Sequence, residues 1–159
     1  MDDNQIDSEF EHGHADYDDA EMLEHARGIA QGFVLATVAH LVAQGLSIEE
    51  WATAVGQRFR STWGEPRQWD AGEFLDAMLT NYRSLGATVV EADLQPEHAE
   101  ATITGFPDDE LCRHFLVTLE MADHVHAVPA VISEGRGVTW SWRREDDLIR
   151  FRVDRQDPG

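Results

Sequence analysis

The last third of the chain alternates in a way that leaves its backbone few choices. Between Gly137 and Val153, Val138, Trp140 and Trp142 alternate with Thr139, Ser141 and Arg143. After the acidic turn Glu145-Asp146-Asp147, Ile149, Phe151 and Val153 alternate with Arg150 and Arg152. Successive side chains on a strand point to opposite faces, so this spacing predicts a two-stranded ribbon with one wall of large apolar groups. A hairpin cannot bury such a wall alone. The rest of the chain, or a ligand, must cover it.

Upstream, the hydrophobic period is helical. A first helix is expected from about Asp18 to Gln44, ended by Gly45, and its nearly uncharged run from Gly28 to Ile48 carries only His40 as a titratable group. Gly28, Gln31, Gly32, Gln44 and Gly45 interrupt that run and acidic residues precede it, which argues against a membrane span. A helix buried on most sides, in the core or across a dimer interface, is expected instead. Ser47 with Glu50 is a capping box for a second helix carrying Ile48, Trp51, Ala52, Val55 and Phe59. Asp70 with Glu73 repeats the signature before a third, carrying Phe74, Leu75, Met78, Tyr82 and Leu85.

The period then changes to two. Thr88 to Ala92 and Ala99 to Thr104 read as a hairpin whose apolar face is Val90, Ala92, Ala99, Ala101 and Ile103. These side chains are mostly small, which predicts that a helix or a bound molecule approaches closely over them. Pro107 followed by Asp108, Asp109 and Glu110 suits the first turn of a fourth helix running through Leu111 to Met121, and a short helical turn is expected from Pro129 to Glu134. The fold expected is therefore α+β: three N-terminal helices, a hairpin, a helix and a second hairpin, with a four-stranded antiparallel sheet packed on helices.

A length of 159 residues with 42% hydrophobic content suits one domain, expected over 18–155, behind an acidic tail at 1–17 that has too few apolar groups to order itself. The tail's His12-Gly13-His14 is a metal-like tract that is more simply solvated. The net charge is −19 and all 12 basic residues are Arg, which disfavours nucleic acid and anionic membranes as partners. A lone Cys112 and the lack of a secretory signal pattern make a cytoplasmic location the expectation.

With its helices, hairpin, helix and closing hairpin, the chain resembles the superfamily of 4-vinyl reductase-type small-molecule-binding domains and TRAPP-like subunits. That family ends in a Gly-Asp-x-x-Cys-x-Phe-like signature, and Asp146 and Phe151 keep its spacing. Glu145 stands where the family has glycine and Ile149 where it has cysteine. The long helical half and acidic turn are also similar to the aminothiazoline-carboxylate hydrolase-like group, whose cysteine motifs are absent here. The first resemblance implies a dimer built through the N-terminal helices and an apolar pocket under the sheet.

Several residues could line or serve such a site. Trp51, Phe115, Trp140, Trp142 and Phe151 are candidate aromatic lining, or else plain core. His40 is a candidate polar anchor in the apolar first helix or an axial ligand to a tetrapyrrole, and more simply a hydrogen-bonded core or interface histidine. Cys112, near a helix start, could have a lowered thiol pKa, but His114 two residues on points elsewhere, so a buried inert cysteine is the simpler expectation. Glu120 and His124 share a helical face, and with Asp123 or His126 could hold a divalent metal; an ordinary surface acid–histidine pair explains the same spacing. Arg143, Arg150 and Arg152 could clamp a carboxylate or pair with the chain's own acids.

The function expected is binding or sensing of a hydrophobic or cyclic small molecule by a homodimer. A small metal-dependent hydrolase and a non-enzymatic assembly subunit are the alternatives.

Overall fold

The computed structural model describes residues 16–158. Most of the expected acidic tail, with His12-Gly13-His14, lies outside the described residues. Three helices come first: α1 (Asp19–Ala43), α2 (Ile48–Arg60) and α3 (Ala71–Ser84). Their starts follow from the sequence. Asp18, Ser47 and Asp70 are extended residues whose side chains accept from the backbone N–H of Glu21, Glu50 and Glu73, meeting donors that a helix leaves unpaired. The reciprocal bond of a full capping box forms at Asp18.

Strands β1 (Thr88–Leu94), β2 (His98–Thr104), β3 (Val138–Glu145) and β4 (Leu148–Arg155) make one antiparallel sheet in the order β1-β2-β4-β3. The expected α+β class and four-stranded sheet are present. Its inner face carries Ala99, Ala101 and Ile103 from β2, Ile149, Phe151 and Val153 from β4, and Val138 and Trp140 from β3, all buried against the helices. Burying each of the large apolar side chains contributes about 1.5–3 kcal/mol. Helix α3 comes closest at the end of β1, where a Cβ added at Gly72 would stand 2.7 Å from the Leu94 carbonyl oxygen.

Three expectations need correction. The apolar face of the first hairpin does not include Val90, because pairing steps from Val89 opposite Ile103 to Glu91 opposite Thr102, leaving Val90 as an extra, exposed residue; Ala92, on the same edge strand, is exposed too. The fourth helix is broken. After α4 (Asp109–His114), Leu116 turns the chain at φ 59°, and Thr118 caps a separate α5 (Leu119–Asp123), followed by the 3-10 turn His124–Ala127 and α6 (Val128–Ser133). Finally, α1 is not buried on most sides. Gln31, Leu35, Val38 and Leu41 form its inner row, while Met22, Leu23, Ile29 and Phe33 are all at least half exposed.

Gln31 fixes α1 to the rest of the fold. Its Nε2 donates to the carbonyls of Leu85 and Gly105 at 2.8 and 3.1 Å, and its Oε1 accepts from the Asp108 N–H at 2.7 Å. One buried amide thus ties together α1, the end of α3, the turn after β2 and the start of α4.

Candidate functional site

Beneath the sheet, the broken helical segment brings a run of polar groups into the core. His126, on the 3-10 turn, is fully buried among Tyr82, Phe106, Trp142 and Phe151. The Tyr82 hydroxyl lies 2.9 Å from its Nδ1, and the indole N–H of Trp140 donates to its carbonyl oxygen at 2.9 Å. Its Nε2 faces Asp123 Oδ1 at 3.6 Å, just beyond hydrogen-bond length. The tautomer that suits both neighbours holds the proton on Nε2 and accepts the Tyr82 O–H at Nδ1. Asp123 in turn receives two hydrogen bonds from Arg144, at 2.6 and 2.8 Å, in the forked geometry that a guanidinium offers a carboxylate.

Burial governs the protonation of this row. It pushes the Tyr82 phenol far above its ordinary range, with the Asp123 charge adding to the effect. It also holds His126 below the usual imidazole value, partly opposed by Asp123. For Asp123, burial acts upward, but hydrogen bonds from Arg144 and the attraction of Arg144 and His126 outweigh it, and the carboxyl stays below its ordinary value. The resting row is a neutral phenol, a neutral imidazole and an ion pair. Such a row can orient and rigidify; it lies beyond the reach of substrate, because His126 and Asp123 are both buried.

The expected site residues do not converge on a pocket. Trp140 and Phe151 are core, with ring centroids 4.6 Å apart, and Tyr82 closes the cluster, 4.6 Å from Phe151 and stacked on Trp140 at 6.4 Å. The space between the terminal ribbon and the helices is thus occupied by the chain's own rings, and two shallow surface hollows among the described residues lie elsewhere, one on the outer face of β1 and β2 and one beside the end of α2. Trp51, Phe115 and Trp142 are half-buried at the margin of that core. His40 corrects the anchor expectation: it is exposed on the outer side of α1. Cys112 is buried, and its thiol is pushed up to about 11 by burial and by Asp108, Asp109 and Asp123, the opposite of an activated nucleophile. His114 is exposed and packs on Phe115.

The metal expectation fails on geometry. Glu120 is exposed, His124 is half-buried with its Nδ1 3.5 Å from Glu49, and His126 turns inward to Tyr82. Because α5 gives way to a 3-10 turn after Asp123, the helical spacing that would align these side chains is lost. Among the described residues no three His, Cys, Asp or Glu side chains gather as a metal site. Arg150 and Arg152 pair with the chain's own acids on the outer sheet face, Arg150 with Glu91, Glu100 and Glu145, and Arg152 with Asp154; Arg143 pairs with Glu145.

Sequence reasoning took Tyr82 only as a position on the apolar side of the third helix and did not single out Arg144, since the partners they meet, His126 and Asp123, lie far away in the chain. It also missed Gln31 and Arg136, although a lone amide on the inner row of α1 and an arginine between two glycines were visible signals. No known protein-family model and no curated protein matches this chain.

Proposed function

We propose that this protein is a non-catalytic binding module that works as a homodimer, paired through the outer side of α1. The observation that carries this reading is a second apolar row on that helix. Met22, Ala26, Ile29, Phe33, Ala36 and His40 follow one another at spacings of four and three, the period of a helix that packs along another helix. They lie on the side opposite Gln31, Leu35 and Val38, and all but Ala36 are exposed.

The row is also self-complementary. Reversed about position 31, Met22 falls opposite His40, Ala26 opposite Ala36 and Ile29 opposite Phe33, so large meets large and small meets small. A two-fold axis at the middle of α1 would bring two copies together with one patch serving both, as an isologous dimer requires. Charge favours the same antiparallel arrangement. Asp16, Asp18, Asp19, Glu21 and Glu24 crowd the amino end, and a parallel pair would set them against their own copies. Gly32, at the edge of this row, has open space where a Cβ would stand, so a neighbouring backbone can come close there.

The order of helices, hairpin, helices and hairpin supports kinship with the 4-vinyl reductase-type and TRAPP-like domains. A lipid surface is the other apolar partner for α1, whose 25 residues include an apolar stretch long enough to cross a bilayer by length and composition. Its acidic amino end opposes anionic lipid, and Gln31 anchors its other face to the domain.

Sedimentation velocity of the full chain tests the reading. The expected result is a dimer that becomes a monomer in the Ile29→Glu, Phe33→Glu double variant with unchanged circular dichroism. A wild-type monomer at tens of micromolar, a dimer that survives both substitutions, or binding to phosphatidylcholine vesicles without self-association would overturn it.

A further inference from the structure

In a chain with 31 acidic residues, the arginine most removed from water has no carboxylate beside it. Arg136 sits between Gly135 at φ 73° and Gly137 at φ 75°, left-handed positions that turn its side chain back under the loop joining α6 to β3. It is 1% exposed. Its Nη1 donates to the Ile132 carbonyl at 3.1 Å and its Nη2 to the Arg60 carbonyl at 3.2 Å, while its buried Nε meets no acceptor. Among the described residues, Arg58 and Arg83 also lack an acidic partner, but both stand in solvent. The carbonyls at the ends of α2 and α6 are dipoles that offset part of the cost of burying this cation. They are not a counter-ion.

Arg136 forms part of the wall of a surface hollow of about 600 Å³, with Gln57, Arg60, Ser61, Glu65 and Pro66 around it. That volume lies within the range of about 300–1,000 Å³ usual for small-molecule sites. Arg60 adds a second guanidinium. Its own ion pair, to Glu134 at 3.1 Å, is partly exposed at both ends and therefore readily exchanged. Gln57 stands one turn earlier on the same side of α2 and offers an amide. Burial and the nearby Arg60 charge both hold the Arg136 guanidinium below its ordinary range, and of the corner's carboxylates Glu134 is paired with Arg60 while Glu65 stands exposed on the rim.

We propose that this hollow binds a small anionic molecule through one oxyanion group, a carboxylate or a phosphate, received between Arg60 and Arg136. The inference does not rest on the pairing of α1, since the hollow is built from α2, the segment after it and the α6–β3 loop.

Isothermal titration of the full chain with inorganic phosphate, and separately with succinate, tests it. Ionic strength is held constant with sodium chloride. Saturable one-site binding of either anion is expected, and the anion that binds tells phosphate from carboxylate chemistry. Arg60→Gln, on the rim, should weaken binding by about tenfold or more. Glu134→Gln, which releases Arg60, should strengthen it. Arg136→Gln should abolish it, and if that variant does not fold, the two rim variants decide the question. No saturable heat with either anion, or equal affinity in wild type and Arg60→Gln, would overturn the proposal.

Discussion

Arg144, on β3, reaches back to grip Asp123 at the end of α5 with two hydrogen bonds of 2.6 and 2.8 Å, and the two ends of that pair differ sharply in their access to water. The Asp123 side chain is 5% exposed and that of Arg144 24%. Removing either partner should therefore not cost the same. Arg144→Met leaves an uncompensated buried carboxylate and should destabilise the fold by about 3–5 kcal/mol. Asp123→Asn leaves a guanidinium that can turn toward solvent, and should cost clearly less. Urea unfolding of both variants checks the order.

The pH dependence has a definite sign. His126 has a folded pKa below the unfolded value of 6.5, so the unfolded chain takes up a proton first and stability falls as pH drops below about 6.5. Asp123, also lowered from 3.8, adds a further loss as pH falls through its folded pKa. Protonation of exposed carboxylates relieves repulsion and acts the other way. The His126 part is isolated by comparison with His126→Gln, whose melting temperature should lack the decline beginning near pH 6.5. Parallel curves for the two proteins would refute the assignment.

Tyr82→Phe keeps the ring that packs on Phe151 and deletes only the hydroxyl facing His126 Nδ1. A buried acceptor left alone costs about 1–3 kcal/mol, and chemical denaturation should find a loss in that range. A neutral substitution would mean that the hydroxyl and imidazole are not hydrogen-bonded.

Gln31→Leu tests the amide that joins four segments. The leucine fits an apolar row but strands the Leu85 and Gly105 carbonyls and the Asp108 N–H. Losing their partners should cost about 2 kcal/mol or more, since an unpaired buried group costs about 1–3 kcal/mol. Amide exchange should rise first at Asp108.

Salt should stabilise the protein. With a net charge of −19, repulsion among acidic groups opposes the compact state, and it is screened over about 10 Å at 0.1 M and about 3 Å at 1 M ionic strength. The melting temperature should rise with sodium chloride over this range, and a flat response would show that local pairing already offsets the repulsion.

How far the sequence could be read depended on whether its signals were local. Ser47 and Asp70 announced the starts of α2 and α3, and alternation through Trp140 and Phe151 announced β3 and β4. Leu116 gave no such warning: nothing in its side chain favours a positive φ, and tertiary packing imposed the break that split the expected fourth helix. The site expectations failed for a related reason. Trp140 and Phe151 as wall residues say only that something apolar lies opposite, and Tyr82 and Phe74, from a helix over fifty residues upstream, turned out to be that something. The apolar run of α1 was visible, but nothing local in it marked which side meets the domain, the side that carries Gln31, Leu35, Val38 and Leu41.

The unpaired Val90 has a bearing on solubility. β1 is an outer strand of the sheet, and a straight outer strand would invite a neighbouring molecule to extend the ladder. The additional residue breaks the regular succession of donors and acceptors along that border, and Glu91 and Asp93 next to it repel another copy bearing the same charges. Shortening β1 by this one residue would straighten the border and remove a built-in guard against fibril-like stacking.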